Sequence, residues 1–472
     1  MLRLSCTVLA LSYLIGCSSI HERVKDETFS DVVPANAQWT INATSGPIVE
    51  KWWTTFDDAT LVSLVERLHA QSLDLKQALQ RIKQSDATLR GANATRWPTL
   101  TANLNAQRQR ANNFLGRPFE LNQYSVNVAA AYEVDVWNRL GSQRAAARFA
   151  RDASVLDRQA LAMSLTAQLV DLYFAYLEQR ELEALVRAQI KTGSQMLSLL
   201  KNRFIDGRAE AVDVLQQEQN LGSIRAFLPP LLAQQQIIKN QLATLVGLSP
   251  HGFELDVPTP ARLSTPGPLP ELGIPAALLS RRPDLKALQL RIKATDENVA
   301  AAVADRLPSF RIQASAGVGA QSFAELLDRW LFSISAGIVA PLFDGGRRAA
   351  EVERLKALLE ERLLDFKARY LVAIADVENA VLGETGQRDR LKALRVELKT
   401  AKSLLKQTQL RFSEGLIDYL RVLTALQAVY GAERNAITAR RQLLSQRIAL
   451  YRAIGGQWTL EPSPKENDGE PR

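Results

Sequence analysis

Residues 124–136 read Tyr-Ser-Val-Asn-Val-Ala-Ala-Ala-Tyr-Glu-Val-Asp-Val. Tyr124, Val126, Val128, Ala130, Tyr132 and Val134 fall on one side of an extended chain, and Ser125, Asn127, Glu133 and Asp135 on the other. A period of two over this length marks a strand with one apolar and one polar face. The same alternation recurs three times. In 98–108, Leu100, Ala102, Leu104 and Ala106 oppose Thr99, Thr101, Asn103, Asn105 and Gln107. In 310–318, Phe310, Ile312, Ala314, Ala316 and Val318 oppose Arg311, Gln313 and Ser315. In 332–342, Phe332, Ile334, Ala336, Ile338, Ala340 and Leu342 oppose Ser333, Ser335 and Gly337. Runs of 9–13 residues match the length of a tilted strand crossing a bilayer. A soluble antiparallel sheet resting on a helix would alternate in the same way, so the membrane reading needs the rest of the chain.

Beyond the strands the period changes. No proline or glycine occurs between Gly141 and Gly193, or between Gly346 and Gly383. Helices are expected over about 140–204 and 347–412, each ~100 Å long at 1.5 Å per residue. No globular core covers helices of that length, which points to a coiled coil. Leu391, Leu394, Leu398, Ala401, Leu405, Thr408 and Phe412 step alternately by 3 and 4, and Val186, Ile190, Gly193, Leu197, Leu200 and Phe204 continue the theme. That narrow seam has the spacing of knobs-into-holes packing. Descending helices follow near 211–247, where Pro229-Pro230 interrupts, and near 416–454, which holds no proline.

The chain is duplicated. With an offset of 210, Asp74-Leu75-Lys76, Arg81-Ile82-Lys83, Asp86, Ala92, Ala94, Arg96 and Pro98 recur from Asp284 to Pro308, and 11 of the 25 positions from 74 to 98 are identical. The offset then becomes 208, matching Arg139 to Arg347, Phe204 to Phe412, Gly207 to Gly415 and Val214-Leu215 to Val422-Leu423. Each half reads as a helix (about 58–95 and 275–305), two strands, then a long helical hairpin. The expected division is a signal segment 1–16, an extended segment 17–57, a first repeat 58–250, a Pro-rich linker 251–274, a second repeat 275–456 and a polar tail 457–472.

Composition agrees with an ordered protein. Of 472 residues, 46% are hydrophobic and 23% charged, with a net charge of +8. The basic residues are spread along the helices and alternate with acids, as in Glu351-Val352-Glu353-Arg354. That describes a solvated helix surface and no nucleic-acid footprint. No run of 18 uncharged apolar residues follows the N-terminus, which speaks against a helical membrane anchor. The two cysteines, Cys6 and Cys17, both lie at the N-terminus, so no disulfide staples the body. Met1-Leu2-Arg3 precedes an apolar run from Leu4 to Ile15, ending in Leu14-Ile15-Gly16-Cys17. The run has signal-peptide length. The ending resembles a bacterial lipobox, in which Cys17 becomes the acylated first residue, and Ser18 in place of Asp resembles lipoproteins sent to the outer membrane. Two or more acyl chains make a stable anchor.

The residues now resemble a family, the outer-membrane efflux factors or TolC-type channels, in their lipoprotein branch. The resemblance covers about 50–456. It is carried by Trp52-Trp53 with Phe56 and Asp58, Arg281-Arg282-Pro283-Asp284, and Tyr132-Glu133-Val134-Asp135-Val136-Trp137. It is carried further by Pro341-Leu342-Phe343-Asp344-Gly345-Gly346-Arg347, Val246-Gly247-Leu248-Ser249-Pro250, and the turns Arg203-Phe204…Gly207 and Arg411-Phe412…Gly415. Asn138 stands where the family commonly has glycine, a place that asparagine tolerates in left-handed geometry. The resemblance implies a mainly α protein with a transmembrane β-barrel. Each subunit of a homotrimer would give four strands to a twelve-stranded barrel and four helical stretches to a periplasmic tunnel. It implies an outer-membrane location, partnership with a periplasmic adaptor and an inner-membrane pump, and passive efflux of small molecules. A protein-secretion channel and a lipid-anchored coiled-coil scaffold without a pore are the alternatives. The residues themselves demand only partners, because four strands cannot close and open edges in lipid leave backbone groups unpaired.

Chemistry is sparse. His21, His69 and His251 are far apart, and His21-Glu22 meets Lys25 where a zinc-protease motif needs a second histidine. Gly317-Val318-Gly319 lies on an alternating strand without a phosphate-loop lysine, and no GxSxG elbow occurs. No enzyme activity, cofactor or metal is expected. Function is expected at the tips, Gly207 to Leu215 and Gly415 to Leu423, where glycine permits the turn. Gly207 and Gly415 are the candidate adaptor-docking turns. Relatives narrow the periplasmic mouth here, often with acidic rings. This chain has Asp213 in the first tip, and Asp418 with Arg421 in the second, which gives a mixed-charge constriction. Plain capping by solvated charge is the competing reading.

Overall fold

The computed structural model describes residues 51–112, 114–257, 262–270, 272 and 275–455, together with His21, Arg23, Val24, Phe29 and Trp39. Cys17, the signal segment and the tail 457–472 lie outside the described residues. The elements run as a short 3-10 turn Trp52–Phe56, α1 Ala59–Gln71, α2 Leu73–Ala94, β1 Thr99–Asn112, β2 Pro118–Val134 and α3 Arg139–Ile205. Then come α4 Ala211–Ala226, α5 Leu228–Leu245, α6 Leu278–Arg281, α7 Pro283–Ala304, β3 Ser309–Ala320, β4 Trp330–Val339, α8 Arg347–Ser413 and α9 Tyr419–Ile454.

Contacts divide the chain into two compact units. The first comprises residues 1–32, 81–155 and 287–367, and the second 33–80, 156–286 and 368–472. Each draws on both repeats. Helices α3 and α8, 67 residues apiece, each enter both.

The first unit holds one antiparallel sheet in the order β1-β2-β3-β4. Its register aligns the alternating sets. Leu104 pairs with Val126, Val126 with Val318, and Val318 with Trp330. On the other face Asn103 pairs with Asn127, Asn127 with Gly317, and Gly317 with Leu331. At Gly317 a Cβ would lie 2.5 Å from the Val126 carbonyl oxygen, so the strand glycine permits a close backbone approach. Asn138 adopts φ 57° at the corner into α3, the left-handed geometry expected of it.

The second unit holds the main core, where Trp52, Trp53 and Phe56 pack with Leu61, Leu68, Leu169, Tyr173 and Phe174. Helix α3 is long and apolar enough to cross a membrane, but its most apolar stretch is mostly buried inside this protein. The heptad seam is real. Leu391 packs on Ala439 and Leu443; Leu398, Ala401 and Leu405 pack on Val186, Ile224, Leu426, Val429 and Tyr430.

Two helices expected to be continuous are each broken once, at equivalent positions. Ser72 leaves the helix with ψ 128° and Arg282 with ψ 116°. Arg282 precedes Pro283, whose ring disfavours helical geometry one residue earlier. At Ser72 no proline acts; the Gly247 backbone packs against this break, so close that a Cβ would lie 2.6 Å from the Gln71 carbonyl oxygen. The first descending helix breaks at Phe227, and Pro229 and Pro230 occupy the first turn of α5.

His69 gives this unit a measurable acid sensitivity. Its Nε2 lies 2.9 Å from Thr166 Oγ1, and burial, with Arg158 and Lys51 adding, lowers its pKa to about 4. The ordinary value is 6.5, so the unfolded chain binds the proton first. The stabilisation is complete above pH 6.5 and is lost as pH falls toward 4, by about 3 kcal/mol at most. Replacing His69 with Gln should flatten this limb of a denaturation-against-pH curve. An unchanged slope would mean that other groups control it.

Candidate functional site

The sheet of the first unit carries the features of a membrane-crossing surface. Its apolar face is open: Leu104 is 79% exposed and Ile334 70%. Isolated exposed leucines need no explanation, but a contiguous apolar face across four strands does. Large aromatic and apolar side chains mark both ends. Trp97 and Phe343 stand exposed at the helix-proximal end, where the Trp137 indole N–H donates to the Pro308 carbonyl at 2.8 Å. Trp330 and Phe323 stand exposed at the far end, with Phe323 6.1 Å from Tyr124 edge to face. Such belts sit at the two interfaces of a bilayer. The polar face is bridged by side chains: Asn103 donates to Asn127 at 3.0 Å, and the Ser315 and Ser333 hydroxyls lie 2.8 Å apart. Near the helix-proximal end Arg139 pairs with Glu133 at 2.6 Å. The outer edges of β1 and β4 have no strand partner among the described residues.

The tips lie in the second unit and are built alike. Gly207 has φ 66° and Gly415 φ 74°. The Arg208 N–H donates to the Arg203 carbonyl and the Gly207 N–H to the Phe204 carbonyl; Leu416 with Arg411 and Gly415 with Phe412 repeat this. This is the glycine-ended helix motif that satisfies terminal carbonyls. Nothing lies within 4 Å of a Cβ at either glycine, so backbone conformation, not space, requires them. The Arg203 guanidinium sits 5.0 Å over the Phe412 ring, and Phe412 packs on Tyr419 with Leu200, Val422 and Leu423. Burial, then Tyr430 and Asp213, raise the Tyr419 hydroxyl pKa above its ordinary value.

The charged tip residues take capping roles within the chain. Asp213 accepts the Glu210 N–H at 3.2 Å at the start of α4. Asp418 is the N-cap of α9 and accepts the Arg421 N–H at 3.1 Å. The Arg421 side chain is exposed and makes no ion pair among the described residues. Asp213 and Arg421 are therefore not paired within one chain. One set escaped sequence reasoning. Gln217 is fully buried, donates to the Gly193 carbonyl at 2.7 Å and accepts from the Tyr419 hydroxyl at 2.6 Å. Asn220 and Gln427 extend this ladder. Its only signal is asymmetry, since Gly193, Gln217 and Asn220 correspond to Ala401, Ala425 and Ala428 in the second repeat. The histidines are scattered, and no group of three His, Cys, Asp or Glu converges as a metal set among the described residues.

The sequence profile of the family described as "Outer membrane efflux protein" matches residues 64–248 and 274–456. The chain belongs to that family. As an outer membrane efflux protein it is 31% identical over 421 residues to the pyoverdine export outer membrane protein OpmQ of Pseudomonas aeruginosa, covering 87% of this chain and 88% of the relative. It is 28% identical to outer membrane protein OprJ of Pseudomonas aeruginosa, over 86% of each. Among solved structures it superposes on the outer-membrane channel OprN with a TM-score of 0.84 and 26% identity, covering 90% of this chain and 98% of that one. The fold also matches the open-state MtrE channel of Neisseria gonorrhoeae, with a TM-score of 0.81 and 24% identity over 93% and 98% of the two chains. The protein is an outer-membrane efflux channel subunit with a barrel sheet and a helical tunnel portion.

Proposed function

We propose that three copies of the chain form the exit duct of a tripartite efflux system, conducting small molecules passively from periplasm to exterior. The observation that carries this reading is the pair of open edges on β1 and β4 flanking an exposed apolar face. Unpaired backbone groups in lipid cost several kcal/mol each. Pairing of β4 in one copy with β1 in the next would satisfy both edges and close a twelve-stranded barrel. In this reading residues 1–16 are a removed signal, Cys17 carries the lipid anchor, and the repeats 58–250 and 275–456 supply equivalent sixths of barrel and tunnel.

Similarity to a pyoverdine exporter favours a small-molecule cargo over a secreted protein. A pore-free scaffold has no use for strands of bilayer length. The duct performs no catalytic step, so energy comes from an inner-membrane pump coupled through a periplasmic adaptor. The turns at Gly207 and Gly415 are the docking points for that adaptor, with Ile205, Leu215 and Leu416 exposed beside them. Asp213, Asp418 and Arg421 would form the constriction when copies converge. Sedimentation equilibrium of the detergent-solubilised protein is the test of assembly. Three chains per particle are expected, and a stable monomer or an even-numbered particle would sink the closure scheme.

A further inference from the structure

Asp86 and Asp296 occupy equivalent places in the two repeats, yet they are satisfied differently. Asp86 pairs with Arg151 of α3 at 2.8 Å. In the second repeat the position of Arg151 is taken by Leu359, itself buried, so α8 offers Asp296 no cation there. Asp296 is 3% exposed, and a buried carboxylate without partners is costly. Its partners come from the N-terminal segment. His21 Nε2 lies 2.5 Å from Asp296 Oδ1, and the Val24 N–H donates to Oδ2 at 2.9 Å. Arg23 donates to Glu297 and to Ser142, each at 3.0 Å. Phe29 is buried, with its ring 5.3 Å from Phe366 and the Lys293 ammonium 6.0 Å over it.

We propose that Asp296 is the docking point of the segment that follows Cys17, and that this clasp sets the depth at which the acylated cysteine enters the periplasmic leaflet. The depth half rests on the reading of Cys17 as the lipid anchor. Three residues, Ser18, Ser19 and Ile20, separate Cys17 from His21, and the four steps between them span about 14 Å at full extension. Asp296 precedes the end of α7 at Ala304 by eight residues, or about 12 Å of helix rise, and β3 begins at Ser309. Fully extended, the tether is about as long as the helix rise from Asp296 to the end of α7, so Cys17 can lie no further along the strands than their foot. A long tether would leave the anchor depth undetermined; a tether this short bounds it. Asp296 is a positioning residue, acting on the anchor through the chain.

The test is amide exchange on the full-length mature protein in phospholipid vesicles, with labelled palmitate uptake followed in parallel. His21→Ala and Asp296→Asn should each speed exchange of the Val24 amide at least tenfold while leaving palmitate uptake unchanged. His21→Ala leaves the buried Asp296 in place, so the result does not hang on the folding of the Asp296 variant. Removing Ser19 and Ile20 halves the tether to about 7 Å, and should cost Val24 its protection in the acylated chain. Val24 exchanging as fast in the native protein as in Asp296→Asn would overturn the clasp. Retained protection in the shortened, acylated chain would overturn the depth assignment. Absence of palmitate from the native chain would overturn the depth assignment together with the Cys17 reading, while the Val24 exchange still decides the clasp.

Discussion

Arginine at Val128 or Ile334 will abolish stable insertion of the channel, whereas arginine at Asn127 or Ser335 will be tolerated. The register puts Val128 opposite Ala102 and Ala316, and Ile334 opposite Ala314, inside the continuous apolar face. A cation at the bilayer midplane costs about 2–4 kcal/mol on a barrel's lipid face. In the proposed three-copy assembly that becomes about 6–12 kcal/mol, comparable to the whole stability of an ordinary domain. Asn127 and Ser335 lie one residue away, on the face where Asn103 donates to Asn127 and where Ser335 pairs with Gln313; a lumen keeps arginine hydrated there. The measurement is the heat-modifiable oligomer recovered from outer membranes. Equal recovery of all four variants would remove the membrane reading and restore a soluble sheet.

The second large effect concerns the mouth. Arg421→Asp should raise resting conductance and admit large antibiotics. Asp213 and Asp418 are already committed to backbone N–H groups in their own chain, and Arg421 stands exposed without an ion pair among the described residues. Its carboxylate partners are therefore to be sought in a neighbouring copy. One exposed pair is worth only about 0–1 kcal/mol. In the proposed three-copy assembly a ring of such pairs would sum to about 3 kcal/mol, which shifts a closed-to-open balance roughly a hundredfold. Asp213→Arg added to Arg421→Asp should restore closure in part only. Asp213 also caps α4, and losing a cap costs about 1 kcal/mol. Unchanged conductance in Arg421→Asp would leave these charges as solvated caps and place the constriction elsewhere.

How much of this was legible in the sequence depends on the strength of the periodic signal. Period two located all four strands, because one face must be apolar wherever lipid covers it. It missed the outer extension of the first hairpin, which pairs as far as Asn112 with Pro118. There Arg108 and Arg110 share Glu120 at 2.6 and 3.7 Å, and Phe119 and Leu121 alternate with Glu120 and Asn122 in the opposite phase, so the pattern of 124–136 does not continue. The 3-4 step found the coiled-coil seam and the long helices to within a residue or two. The break at Ser72 was invisible, since no proline marks it and the Gly247 backbone that meets it is distant in sequence, whereas Pro283 announced its counterpart at Arg282. The tip glycines were legible because positive φ has few other solutions. The Gln217 ladder and the Asp296 clasp were not, because buried polar partners distant in sequence leave no periodic trace.

The central claim is that copies of this four-stranded sheet close around a pore. Single-channel recording in a planar bilayer of known salt tests it most directly. Purified protein should give uniform conductance steps that disappear for Ile334→Arg and persist for Ser335→Arg. Folded, membrane-inserted protein that passes no current even as the Arg421→Asp variant would contradict it.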